Sequence, residues 1–291
     1  MLWEAGTTEY FTATLQVPLS WETHWRTTDF IYTYTTMEEQ SITEQENSFV
    51  RDILRPELAA KGITIRHDGI VDEASWKKAE VKLLFLLKEP VGNPDKGDSL
   101  LYYLRNTAPT KKDKTWRHLA QWVYAMMHHI SYQDSTTFKE KVKPISRDEV
   151  LCRQYFKPIV AVNLKKQAGK SRSNPKQLKQ EFHNIYKKYI VKQLRLYKDA
   201  DIIVCCGDVV WDCLKECYTD TFGVPMKRTG VVPNPQYKNK FKYFVSRDTP
   251  CVMNFWHPSY PKVSDWDKCS NFLHVVETIL EERKQNNLTV F

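Results

Sequence analysis

Four short polar clusters in this chain combine residue types able to do chemistry. They are Lys88-Glu89-Pro90-Val91-Gly92, Asn163 with Lys165 and Lys166 close behind, Gly207-Asp208, and His257-Pro258-Ser259-Tyr260. A carboxylate can orient a water molecule and stabilise a cationic reacting centre. An imidazole can donate a hydrogen bond to an oxygen on which negative charge develops. An amide carries both a donor and an acceptor, which suits reading the edge of a base. Each cluster closes an apolar run, at 81–87, 158–164, 201–206 and 251–256. Chemistry between them requires a fold that gathers four distant run ends on one rim.

The runs are continuously apolar rather than alternating, the pattern of parallel strands covered on both faces. Helical patterns follow them at 116–129, 175–198, 209–218 and 265–284. Strand alternating with helix predicts an α/β/α three-layer sandwich around a central, mainly parallel four-stranded sheet. Ligands of such sheets bind beyond the carboxyl ends of the strands, where the four clusters stand. Thr43 and Glu46 have the spacing of a capping box for a helix ending near Gly62. Residues 1–36, rich in Thr and aromatics without a clean period, read as an N-terminal extension, and 37–291 as a single domain.

At 291 residues, 42% hydrophobic and 27% charged, the chain can bury a core without disulfides or metal. No apolar run reaches membrane-spanning length, and no signal-peptide pattern opens the sequence, so the expectation is a cytoplasmic protein with no membrane partner. The net charge of +8 is unevenly spread: residues 1–80 hold seven Lys/Arg against fourteen Asp/Glu, so the excess of positive charge lies beyond them. A cationic surface beside the strand ends fits a polyanion such as nucleic acid, although solvated surface charge explains composition alone equally well. The seven cysteines form no CxxC pair and no zinc spacing with histidine, and several lie within apolar runs. They read as buried reduced thiols, with no metal.

Taken in order, Glu89-Pro90, Asn163, the strand–Gly207–helix unit and His257-Pro258-Ser259 resemble the uracil-DNA glycosylase superfamily over roughly residues 80–285. The resemblance implies that fold, a monofunctional N-glycosylase activity leaving an abasic site, and no cofactor. It implies that Glu89 orients the attacking water, that His257 stabilises the departing base, and that Asn163 reads the base. Two departures stand out. Leu87 occupies the position where the family usually has Gly, and Glu89 that of Asp, Asn or Ala. The longer acid moves its carboxylate by about 1.5 Å. Where uracil-specific members place Tyr, this chain has Val91 followed by Gly92. The lower wall implies a pyrimidine carrying a 5-substituent, including hypermodified cytosines of phage DNA, and hence antiviral defence. The iron–sulfur branches place cysteines before the first motif, whereas the first cysteine here is Cys152, which implies no cluster.

Around these positions, residues 157–200 contain twelve Lys/Arg and only Glu181 and Asp199 as acids. Lys88, Lys165, Lys166, Lys170 and Arg172 are candidate phosphate contacts, and Ser259, Tyr260 and Lys262 could follow the strand carrying an everted base. Tyr260 is a candidate wedge and Tyr102 and Tyr103 candidate stacking residues, with core packing the competing role for the two tyrosines. Pro90 would fix the turn against the base. Alternative functions are excision of plain uracil or mismatched thymine in repair, and a non-catalytic DNA-binding module, in each case from a monomer with DNA as partner.

Overall fold

The four apolar runs do become four parallel strands, but they form the centre of a wider, mixed sheet. The computed structural model describes residues 40–92, 99–107, 109, 113–169, 174–227, 229–234 and 239–288. The proposed extension, residues 1–36, lies outside the described residues, as do Lys170 and Arg172. The described residues belong to one compact unit, Gln40–Phe291.

The strands are β1 (Gly69–Ile70), β2 (Leu83–Leu87), β3 (Ile159–Asn163), β4 (Ile202–Cys206), β5 (Thr229–Asn234), β6 (Asn239–Phe244) and β7 (Cys251–Phe255). Their order is β1-β3-β2-β4-β7-β6-β5. β3, β2, β4 and β7 are mutually parallel, while β1 joins one edge and β6 with β5 the other in antiparallel fashion. The expected four-stranded sheet is therefore corrected to seven strands. Two of the three additions lack an apolar run for identifiable reasons. β1 has only two residues. In β6 exposed Lys240 and Lys242 alternate with buried Phe241 and Tyr243, the signature of a strand covered on one face.

Every residue of the four central strands is buried, and alternate side chains enter two separate cores. Leu83, Phe85, Val204 and Met253 pack with Trp122 of the Lys114–Met127 helix and Phe272 of the Asp265–Leu288 helix. Leu84, Leu86, Ile203 and Val252 pack with Ile190 of the Lys187–Arg195 helix and Leu214 of the Asp208–Phe222 helix. Helices on both faces of one sheet give the three layers. All seven cysteines are buried, as small apolar side chains within these layers. No helix among the described residues is long and apolar enough to cross a membrane.

The first helix, Ile42–Phe49, is capped two residues earlier than the sequence pattern suggests. Ser41 and Glu44 form the capping box, and Glu46 is instead a buried residue on the inner face. Burial pushes its carboxyl up to about 7, against the opposing hydrogen bonds from Tyr197 and Gln193.

Candidate active site

Because β3, β2, β4 and β7 run in one direction, their carboxyl ends share an edge. Leu87 pairs with Asn163, and Cys206 with Phe255, so the four polar clusters do emerge side by side. The chain passes from β2 to β3 on one side and then returns across β2 to β4. This divergence makes the β2/β4 end the crevice of the sheet. β7 lies two strands from β2, roughly 10 Å at the backbone, a gap on the scale of a planar base.

A cleft of about 380 Å³ opens here, walled by Lys88, Asp208, Trp256, His257 and Tyr260, within the usual range for small-ligand sites. Gly207 stands beside Lys88 in the cleft wall. Its φ of +116° suits glycine, and a Cβ there would lie 3.4 Å from the Lys88 Cε. Asp208 accepts a hydrogen bond from the Asn254 Nδ2 at 2.7 Å, which holds the carboxylate in place. The Trp256 and Tyr260 rings lie nearly parallel, 6.3 Å apart. Phe241 meets Trp256 edge-on from β6, so a strand outside the four apolar runs supplies one wall.

His257 is held in a defined tautomer. Its Nδ1 accepts from the Ser259 backbone N–H at 3.3 Å and lies 2.8 Å from the Ser259 hydroxyl. A backbone N–H can only donate, so Nδ1 is the acceptor and the ring proton resides on Nε2. Burial, then the Lys88 and Lys268 ammonium groups, lower its pKa from 6.5 to about 4. At neutral pH the imidazole is uncharged and offers one N–H.

The turn carrying His257 is clamped from beneath. The Pro258 carbonyl accepts from the His118 Nδ1 at 2.6 Å and from the Lys268 Nζ at 3.3 Å. Asp265 lies 3.0 Å from the His118 Nε2 and 3.5 Å from the Lys268 Nζ. Its hydrogen bond with His118, foremost among the causes, holds its carboxyl down to about 2. Ser259 and Tyr260 are half-buried and also face a second, smaller cleft containing Lys114 and Lys268; Lys262 is exposed.

Glu89 takes a different direction from His257. Its carboxylate lies against Gly169, where an added Cβ would come within 2.2 Å, and 3.6 Å from the Lys165 Nζ. Lys165 is shared with Glu181 at 2.8 Å. The Pro90 carbonyl accepts from the Gly169 N–H at 2.8 Å, and the Gly92 N–H donates to the Gly169 carbonyl at 3.2 Å. The turns after β2 and β3 are thus zipped together around Glu89. Val91 is 63% exposed, and its carbonyl accepts from the Arg66 Nη1 at 3.1 Å. The cleft that His257 lines includes Lys88 and leaves Glu89 outside.

Three sequence assignments change. Lys166 is fully buried and bonds Asp68 and Gln193 at 2.7 and 2.6 Å, so it is a core ion-pair residue rather than a phosphate contact. Tyr103 gives its hydroxyl to Asp113 at 2.8 Å and packs on the core, whereas Tyr102 is 66% exposed. Of the two tyrosines, Tyr102 is the more exposed and Tyr103 is half-buried. Asn163 is only 3% exposed, and its amide already contacts Asp68. Asp68, Arg66, His118 and Lys268 escaped the sequence reading. The run Arg66-His67-Asp68 just ahead of Gly69-Ile70 was the one local signal, a charged stretch feeding an apolar pair.

Among the described residues no group of three or more His, Cys, Asp or Glu side chains is arranged to hold a metal ion. A scan against protein-family models and a search of curated proteins each found no match to this chain.

Proposed function

We propose that this protein is a monofunctional DNA glycosylase that hydrolyses the N-glycosidic bond of an everted pyrimidine and leaves an abasic site. The observation that carries the reading is the convergence of Lys88-Glu89-Pro90, Asn163, Gly207-Asp208 and His257-Pro258-Ser259 at the carboxyl edge of β2, β3, β4 and β7. The neutral His257, with its proton on Nε2, suits a hydrogen bond to a base oxygen that becomes anionic as the bond breaks. It supplies that donor without carrying a positive charge into a cleft that already holds the Lys88 ammonium. Lys88 and Lys262, with Ser259 and Tyr260, give the edge the cationic and aromatic character expected of a nucleic-acid contact, whereas Lys165 is committed to Glu89 and Glu181. The exposed Val91 leaves space beside the turn for a 5-substituted base, including hypermodified cytosines of phage DNA, which would give the enzyme a role in antiviral defence.

The water-orienting carboxylate has two candidates. Glu89 is favoured by its place in the Glu89-Pro90 turn; Asp208 is favoured by lining the same cleft as His257. Mass spectrometry of bases released from duplexes carrying uracil, thymine mismatches and 5-modified cytosines tests the activity directly. His257→Ala should abolish release while DNA binding survives. Of Glu89→Gln and Asp208→Asn, the one that orients water should lower kcat with little change in KM. Salt-sensitive DNA binding with no base released from any duplex would identify a non-catalytic binding module instead.

A further inference from the structure

A buried polar network surrounds Asn163 and bears on which base the site accepts. Asp68, 2% exposed, receives the Asn163 backbone N–H at 2.7 Å and the Asn163 Nδ2 at 3.1 Å on a single oxygen, Oδ2. Its other oxygen, Oδ1, receives the Lys166 Nζ at 2.7 Å and the Gln193 Nε2 at 3.1 Å. Gln193 is itself fixed, since its Oε1 faces the Lys166 ammonium and its Nε2 donates to Glu46 at 3.0 Å. A backbone N–H and an ammonium can only donate, so both Asp68 oxygens must accept. The Asn163 atom facing Asp68 is therefore its NH₂ group, and the two ends of the amide cannot exchange places. The Asn163 oxygen has no hydrogen-bond partner among the described residues.

Pyrimidines present two opposite edges at this position. A 4-oxo base offers N3–H as donor and O4 as acceptor; a 4-amino base offers N3 as acceptor and N4–H as donor. An asparagine able to flip matches both, whereas a pinned one matches a single class. Resting on the glycosylase reading above, we propose that Asp68 is a specificity-determining residue. By locking the Asn163 amide it makes the enzyme discriminate between 4-amino and 4-oxo pyrimidines. Asp68 touches no substrate in this scheme; it acts through Asn163. The arrangement also accounts for a buried Lys166, which balances the carboxylate that does the locking.

The test uses DNA duplexes matched in everything but the group at position 4: cytosine with uracil, 5-methylcytosine with thymine, and 5-hydroxymethylcytosine with 5-hydroxymethyluracil. The full-length wild-type chain should release one class faster in kcat/KM by at least roughly tenfold, the scale of one mismatched hydrogen-bonding edge. Asp68→Ala combined with Lys166→Met removes both buried charges together and takes away the acceptor that pins the Asn163 amide. In this paired variant the ratio should fall toward one. Adding the same pair to Asn163→Ala should leave that variant's ratio unchanged, an outcome that general loosening of the site would not produce. Circular dichroism and thermal melting establish that each variant is folded. A folded paired variant that keeps the wild-type ratio, or a wild-type ratio near one, overturns the role of Asp68. Absence of released base from all six duplexes and from phage DNA carrying hypermodified cytosines overturns the glycosylase reading beneath it.

Discussion

The protonation of His257 gives a thermodynamic handle on the site that needs no substrate. Its pKa drops from 6.5 to about 4 because the ring is buried and because Lys88 and Lys268 oppose a second positive charge. Between those two pH values the unfolded chain binds a proton that the folded chain refuses. Stability therefore falls as pH is lowered through this window and levels off below about 4. At about 1.4 kcal/mol per pH unit, the contribution lost between pH 7 and 4.5 is about 2 kcal/mol. His257→Asn keeps a polar side chain and cannot titrate. Urea unfolding of both proteins across pH 4.5–7 should show the wild type losing about 2 kcal/mol more than the variant. Lys88→Met should raise the histidine pKa, observable by NMR titration, though by less than the full depression because burial is the larger cause. Parallel stability curves for wild type and His257→Asn would refute the neutral, buried imidazole and with it the argument for an uncharged donor.

Glu46 titrates in an overlapping window with the opposite sign. Burial raises its pKa from 4.5 to about 7, so the folded state keeps a proton that the unfolded state has lost and stability falls as pH rises through that range. Glu46→Gln should remove a loss of about 2–3 kcal/mol between pH 4.5 and 8, read from unfolding midpoints. Gly207→Ala places a side chain at φ +116°, a conformation L residues rarely adopt, while its Cβ would stand in ordinary contact with Lys88; chemical denaturation should show a cost of about 1–3 kcal/mol. Gly169→Ala meets only the flexible end of Glu89, at 2.2 Å. It should therefore cost under about 1 kcal/mol while displacing that carboxylate, and base release should drop if Glu89 rather than Asp208 orients the water. Lys262→Ala should weaken DNA binding across sequences and reduce the salt slope by about one.

What the sequence made legible follows from which signals are local. The four central strands are covered on both faces, so each residue had to be apolar, and a run such as Leu83–Leu87 has few other uses. Their polar ends were legible for the same reason, since a lysine, an acid or a histidine can follow a buried strand only where the strand leaves the core. What stayed hidden was the direction each side chain takes after leaving it. Lys165 and Lys166 are neighbours of one type, yet one reaches the carboxylates of Glu89 and Glu181 while the other is fully buried on Asp68. Tyr102 and Tyr103 divide in the same way. Thr43/Glu46 and Ser41/Glu44 fit the same capping pattern. The choice between them was made by Tyr197 and Gln193, which bond Glu46 from some 150 positions away. Composition is blind to such partners, and this has a consequence for function. Asn163 looked like a free reader of bases, whereas its meaning depends on Asp68, a residue just ahead of a strand only two residues long. Where a polar side chain at a strand end is already committed to a buried partner, that partner decides which half of the side chain a ligand can meet. In this site the selectivity therefore rests on the carboxylate behind the asparagine as much as on the asparagine itself.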